Sequence, residues 1–387
     1  MFKKLKFYIY YYLNIRNIKL SLLVFFYTLL KKNTRYPQYL LNFEKKVSDY
    51  FGSKYALSFS NGTTACTALL YALGVKKNNK VIISKLTFPS IISSILRIGA
   101  IPIYLDFDKN LQIKFDTNNK LIQEADFILI THAYGITQDY DKINTIRKIN
   151  SKIILIEDIS HAQGAKNNNK LVGTEGLGSF MSMQGDKAIS AGEGGVVITN
   201  SEEVYNRMFY LSHLNRKNLN NDKINSLSRI GLIGKGRMNP LGAISAISDI
   251  KNLKKRNNIL IEKIKILYTE LKYFEEIDIP VINNYNNLGG FHYGLPFFCY
   301  SEKIINKLKN NFNILGYNWP YLDLNENFQD PEKFLELIYK QDFKIDNIYG
   351  KSNDIRDNLY FFELKELMSL TKNEITKRMI ISKIDDN

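Results

Sequence analysis

Seven short, apolar, β-rich runs recur between Ala56 and Thr199, each separated from the next by turn residues or a helical pattern. They are Ala56–Ser60, Val81–Ser84, Pro102–Leu105, Phe127–Thr131, Ile153–Glu157, Ser179–Met183 and Val196–Thr199. Runs such as FILIT and IILIE are apolar nearly throughout, as strands covered on both faces must be. Strands alternating with helices imply a largely parallel sheet, because parallel neighbours need a crossover element between them. The expected class is therefore α/β with a seven-stranded, mostly parallel sheet. From Pro240 the pattern becomes helical and stays so to about Phe274, which predicts one long connecting helix. A smaller mixed α+β segment follows. Its last element, TKNEITKRMIISKI, opens with Thr371 and Glu374 at capping-box spacing. The expected division is an arm over 1–35, a large domain over 36–245, and a connecting helix with a small domain over 246–387.

Bulk properties exclude several classes. A length of 387 residues exceeds one ordinary core. Two cysteines, Cys66 and Cys299, make no disulfide framework, and four scattered histidines offer no metal-ligand spacing. No metal is expected, and a reducing, cytoplasmic setting is the simplest one. The net charge of +15 accompanies a general richness in Lys, Asn, Ile and Tyr, with no nucleic-acid-reading motif. Nucleic acid is not an expected partner; a basic surface equally attracts anionic small molecules. Residues 1–35 hold eight Lys/Arg and no acid around the uncharged run Leu20–Leu30. That run is too short to span a bilayer, which takes about 20 residues. It suits either a helical arm packed on protein or an interfacial helix in peripheral contact with the inner face of a membrane.

Three constellations can carry chemistry. In SNGTTACTALLYALG a strand ends, Gly62 breaks it, and a helix begins near Thr63, with Cys66, Leu69, Leu70 and Leu73 on one face. The N–H groups opening such a helix, with the hydroxyls of Thr63 and Thr64, can hold a phosphate. In IILIEDISHAQGA a buried strand runs into Glu157 and Asp158. Only one of two adjacent strand residues faces a given side. An acid at a carboxyl end stands where open α/β sheets bind ligands, and there it can grip a protonated ring nitrogen; His161 lies within reach. In SMQGDKAISAGEGG a lone Lys187 sits among small residues ahead of a strand. Screening from water would lower its basicity and make it a nucleophile towards aldehydes. A phosphate cradle, a carboxylate for a ring nitrogen and a lysine for an aldehyde are together the needs of pyridoxal 5′-phosphate (PLP). No P-loop, G-x-S-x-G elbow or H-E-x-x-H occurs, and GTEGLG at Gly173–Gly178 has the wrong spacing for a dinucleotide fingerprint.

These stretches, with FEKKVSDYFGSKYALSFSNGTTACTALLYALGV, ISKLTFPSIISSILRIGAIPIYLDFD and GKGRMNPLGAISA, resemble the DegT/StrS family of PLP-dependent nucleotide-sugar aminotransferases. The resemblance is good over Phe43–Asn200, fair over Gly231–Arg256 and poor beyond. It implies the PLP-dependent transferase fold type I, glutamate as amino donor, a nucleotide-diphosphate keto-sugar as acceptor, and a homodimer with shared sites. It implies that Lys187 holds the cofactor's aldehyde covalently and that Asp158 pairs with its ring nitrogen. His161 would stand near the ring hydroxyl and Phe88 would stack on the ring. Ser182, Gly62, Thr63 and Thr64 would contact the phosphate, and Lys235 would reach it from a neighbouring subunit. Three features depart from the pattern: Gly236 replaces an aromatic, Met181 and Met183 flank Ser182 where Phe is common, and the N-terminal arm is long. Two alternatives stand beside this reading. One is the sugar dehydratase branch, in which histidine replaces the lysine. The other is a non-catalytic, membrane-associated binding protein that keeps the fold.

Overall fold

The computed structural model describes residues 38–116, 120–213, 216, 231, 233–316, 346–347 and 358–384. The N-terminal arm of 1–35 lies outside the described residues. In chain order, the large unit contains α1 (Gln38–Phe51), β1 (Tyr55–Phe59), α2 (Gly62–Ala72), β2 (Lys80–Ser84) and α3 (Pro89–Ile98). It continues with β3 (Ile101–Leu105), α4 (Lys120–Gln123), β4 (Phe127–Thr131), α5 (Tyr140–Ile149) and β5 (Ile154–Asp158). A small hairpin, β6 (Lys166–Asn167) and β7 (Lys170–Leu171), precedes β8 (Gly178–Ser182), β9 (Gly195–Thr199) and α6 (Glu202–Ser212).

All seven expected strands are present and lie in one sheet, ordered β1-β9-β8-β5-β4-β2-β3. The pairs β8·β9 and β9·β1 are antiparallel, and the remaining neighbours among these seven are parallel. An eighth strand that local pattern did not reveal, β13 (Asp346–Asn347), pairs parallel with β3 at the edge. Two residues carry too short an alternation to be read from sequence. One face of the sheet packs on α2, α3 and α6 through Leu69, Ile95 and Phe209, and the other packs on α1 through Phe43 and Val47.

The helix α7 (Pro240–Leu271) is the long connecting helix, capped by Asn239, whose side chain accepts from Leu241 N–H. Ala243, Ala246, Ile250 and Leu253 belong to the large unit's core, whereas Leu260, Ile264, Leu267 and Tyr268 belong to the second core. One helix thus crosses from one core to the other. The second core is built on an antiparallel sheet, β10-β11-β14-β12 (Ile277–Asp278, Gly294–Cys299, Leu359–Glu363, Ile314–Gly316). The helices α8 (Glu302–Asn311), α9 (Leu364–Ser369) and α10 (Lys372–Ile384) accompany it. Thr371 and Glu374 form the expected capping box: each side chain bonds the other residue's backbone N–H, at 3.2 and 2.8 Å.

Candidate active site

Three neighbouring parallel strands, β4, β5 and β8, end in Thr131, Asp158 and Ser182 at the same, carboxyl-terminal side of the sheet. A cavity of about 140 Å³ opens there. Its walls include Gly62, Thr63, Phe88, Asp158, His161, Ser182 and Lys187. Residues from four separate stretches, each singled out in the sequence, therefore meet around one space.

The strand alternation of β5 separates its two acids. Glu157 points into the core and is wholly buried. It accepts hydrogen bonds from His132 Nε2 (3.2 Å), the Tyr140 hydroxyl, and the backbone N–H groups of Gly173, Glu175 and Gly176. Burial alone would push its carboxyl up, but these donors outweigh it and hold the pKa below the ordinary value. Asp158 faces the cavity instead. Burial raises its pKa, against the Ser160 N–H at 2.9 Å and the charge of Lys187. Among the described residues it makes no ion pair. A buried carboxylate so placed is a natural partner for a cation that enters the cavity.

Asn61 caps α2 in extended conformation, and its Oδ1 accepts from Thr64 N–H at 2.8 Å. Gly62 and Thr63, the first residues of the helix, line the cavity. Gly62 is required by packing: a Cβ there would lie 2.7 Å from Ser182 Cβ. Gly195 serves the same turn, since a Cβ would lie 2.3 Å from the Asn61 carbonyl oxygen. Met181 and Met183 are fully buried on the far side of β8, so their departure from Phe alters the core and not the cavity.

Lys187 lies in the loop between β8 and β9, where Met183 N–H meets the Gly194 carbonyl and Ala191 N–H the Met183 carbonyl, both at 2.8 Å. Burial lowers its pKa to about 8, against the opposing charges of Asp186 and Asp158. The direction is the one expected from sequence. Phe88 stands at the N-cap of α3, is 41% exposed and lines the cavity. His161 is buried, its ring centroid 5.5 Å from that of Tyr134. Burial, then the charges of Lys187 and His292, hold its pKa well below the ordinary value, so it stays neutral.

One residue expected at this cavity lies elsewhere. Thr64 spends its N–H on Asn61, and its hydroxyl pairs with Ser60 Oγ at 3.3 Å, away from the cavity. Lys235, expected to act in a neighbouring subunit's site, is exposed on the stretch leading to α7 and does not line this chain's own cavity. Beside it, Gly236 accepts from Ser60 N–H (2.7 Å) and donates to the Ser212 carbonyl (2.9 Å). A Cβ on Gly236 would press on Thr64 Cγ2 at 3.1 Å and on Phe59 and Ser212 at 3.3 Å, which accounts for glycine at this place.

Some site residues escaped the sequence reading. Asn61 carried a usable signal, an N-cap residue directly before a helix. Ser160, Gln184 and Glu193 carried little. His292 carried none: it comes from the loop before β11, and its ring centroid packs 4.4 Å from that of His161. Burial and the charge of Lys187 bring its pKa down to about 4. Among the described residues, no group of His, Cys, Asp and Glu is placed to hold a metal ion.

Comparison with known proteins agrees with this architecture. The chain is 35% identical over 174 residues to GDP-perosamine synthase of Escherichia coli O157:H7, covering 44% of this chain and 48% of that protein. It is 30% identical over 178 residues to GDP-perosamine synthase of Vibrio cholerae, covering 46% and 48%. The chain thus spans about half the length of the curated relatives it matches. Among solved structures, an aminotransferase from Psychrobacter cryohalolentis superposes with a TM-score of 0.73 at 19% identity, covering 92% of this chain and 93% of that one. E. coli GDP-4-keto-6-deoxy-D-mannose-3-dehydratase with bound hydrated PLP gives 0.72 at 20% identity, covering 89% and 92%. These likenesses show the fold, which is that of the fold type I enzymes. The model of the DegT/DnrJ/EryC1/StrS aminotransferase family matches residues 29–315, and the chain belongs to that family.

Proposed function

We propose that the protein transfers an amino group, with glutamate as donor, to a keto-sugar carried on a nucleotide diphosphate, using PLP. The observation that carries the reading is the meeting of Lys187, Asp158 and the Asn61–Thr63 turn around one cavity. The residues fit the cofactor. The close approach of Gly62 to Ser182 makes a cradle of N–H and hydroxyl groups that suits a phosphate. Asp158, buried without an ion pair among the described residues, suits a protonated ring nitrogen. Lys187, with its lowered basicity, suits an aldehyde.

When bound, PLP supplies the aldehyde that captures amines and an electron sink for the carbon they carry. This chain's residues do the rest. Asp158 holds the proton on the ring nitrogen. Phe88 would lie against the bound ring, and the buried His161 and His292 wall the cavity against water. Nζ of Lys187 takes the proton from the α-carbon of the amino donor. In the second half it returns a proton to the sugar carbon that gains the amine. An amine with a pKa of about 8 exchanges protons in both directions near neutral pH, as this double duty demands.

Lys235, exposed beside the phosphate turn, supports assembly of two copies in which each presents this lysine to the other's site. Peripheral membrane contact through 1–35 is a separate part of the proposal, tested by vesicle flotation with and without those residues. Among the described residues, no helix is long and apolar enough to cross a membrane.

The decisive experiment is spectroscopic. Protein incubated with PLP and dialysed should stay yellow, glutamate should shift the absorbance, and borohydride should fix the cofactor to the parent chain but not to Lys187→Ala. A screen of nucleotide-linked keto-sugars with glutamate, read by mass spectrometry, should then find an amino-sugar product. A protein that takes up no PLP, or a Lys187→Ala variant that turns over at the parent rate, refutes the reading.

A further inference from the structure

The lysine loop is held from outside at three consecutive residues. Directly after Lys187, the Ala188 carbonyl accepts from Arg256 Nη2, Ile189 N–H donates to Gln163 Oε1 at 2.5 Å, and Ser190 N–H donates to Asp249 Oδ2 at 2.9 Å. Arg256 Nη1 in turn bonds Asp249 Oδ1 at 3.0 Å. Of these side chains, Gln163 has the special position. It is fully buried, and the other end of its amide donates from Nε2 to the Ser182 carbonyl at 2.8 Å. One amide therefore grips both ends of the segment Ser182–Ile189. That segment has the phosphate-side serine at its start and the reactive lysine inside it.

Gln163 is itself fixed. Its backbone carbonyl accepts from Asn257 Nδ2 at 3.2 Å on α7, and Asn257 Oδ1 accepts from Gly290 N–H at 3.2 Å. Gly290, at φ +77, packs so closely that a Cβ would lie 2.0 Å from Gln163 N. Two residues on, the same loop delivers His292. Gln163 thus stands at the junction of the lysine loop, held by its side chain, and of the connecting helix and the loop that brings His292 to the cavity, held by its backbone.

We propose that Gln163 is a positioning residue for the amino-transfer chemistry, stapling Ser182 and Ile189 so that Lys187 is held inside the cavity and away from water. A side-chain amide offers a donor and an acceptor side by side and stays neutral at every pH. Leucine keeps the volume and removes both bonds. Glutamate keeps the shape, but when ionised it turns the donor into a second acceptor, facing the Ser182 carbonyl. When protonated it copies the amide, with one O–H to donate and one oxygen to accept. The proposal rests on the reading of Lys187 given above, but its first measurement does not need PLP.

The test uses the full chain. Reductive methylation of Lys187 by formaldehyde and cyanoborohydride, without PLP, is followed across pH by peptide mass spectrometry. The groups that face the amine are Asp158 on β5, His161 in the turn after it, Asp186 and Glu193 in the lysine loop, and His292 from the small unit. All are kept. In Gln163→Leu the midpoint should rise by about one pH unit or more as water reaches the amine. The dissociation constant for PLP should rise about tenfold or more. Unchanged midpoint and unchanged PLP affinity would overturn the proposal. Should Gln163→Leu fail to fold, Gln163→Glu decides. Burial at this fully enclosed position holds the new carboxyl above its ordinary range, so PLP affinity relative to the parent should be closest to parity at about pH 5 and fall as the carboxyl ionises. A ratio that stays flat to about pH 9 would overturn the proposal equally. If the parent protein takes up no PLP, the functional reading fails, while the methylation midpoints still decide the staple.

Discussion

The contact between α2 and β8 makes a sharp prediction for Gly62→Ala. The added Cβ would fall 2.7 Å from Ser182 Cβ, 3.0 Å from Ser182 Cα and 3.3 Å from Ser182 Oγ. Ordinary van der Waals contact begins at 3.4 Å, so helix start and strand end must part by about 0.7 Å. Overpacking of this size costs about 1–3 kcal/mol. The same separation acts on the cradle. A phosphate bridging both sides cannot keep every hydrogen bond when one wall recedes by 0.7 Å. Loss of one bond to a charged group costs about 1.5–3 kcal/mol, which weakens binding by about ten- to a hundredfold. The assay is absorbance titration with PLP and, in parallel, with pyridoxal, which lacks the phosphate. Thermal unfolding without ligand monitors the fold. PLP affinity should fall by the stated factor, while pyridoxal affinity changes little. Equal loss of both ligands, or loss of neither, would refute the assignment of this turn as the phosphate cradle.

Further predictions follow from the same geometry. Lys187 has a folded pKa of about 8 against an ordinary 10.5, so between these values the unfolded chain binds more protons, and this group's contribution to stability rises with pH across the window. Lys187→Met should therefore stabilise the protein by about 1–3 kcal/mol at neutral pH. The gain should vanish above about pH 10.5, as followed by urea unfolding across pH. His292 stays neutral to about pH 4, so His292→Ala should leave the pH profile between about 5 and 7 unchanged in shape while turnover falls and PLP retention persists. The buried pair Arg216–Glu44 also carries Ser58, whose N–H and hydroxyl donate to Glu44 at 2.9 and 2.7 Å. Arg216→Met leaves that carboxylate buried and unpaired, and should cost about 3–5 kcal/mol in chemical denaturation.

Much of the sheet was legible because its signals are local. An apolar run such as Phe127–Thr131, bounded by turn residues, can satisfy its backbone and bury its side chains only as a covered strand. The split between Glu157 and Asp158 was legible for the same reason: the period-two alternation of a strand puts neighbours on opposite faces. The lowered basicity of Lys187 followed from one cation placed among small residues at a sheet edge. The roles expected of Thr63 and Thr64 divided at a finer level. Both hydroxyls looked equivalent in sequence, but the Asn61 cap takes the Thr64 N–H, and Gly236 closes over its methyl group.

The chain's own order of residues was enough to specify the strands, the long helix from Pro240 and the chemical character of Lys187 and Asp158. Each depends on interactions within a few residues or on a pattern repeated along one element. Only the tertiary structure decided that His292 enters the cavity, that Gln163 grips both ends of the lysine loop, and that Asp346–Asn347 extends the large sheet. Those contacts join residues far apart in sequence, and they are set by how two cores pack along α7 and not by any local preference of the chain.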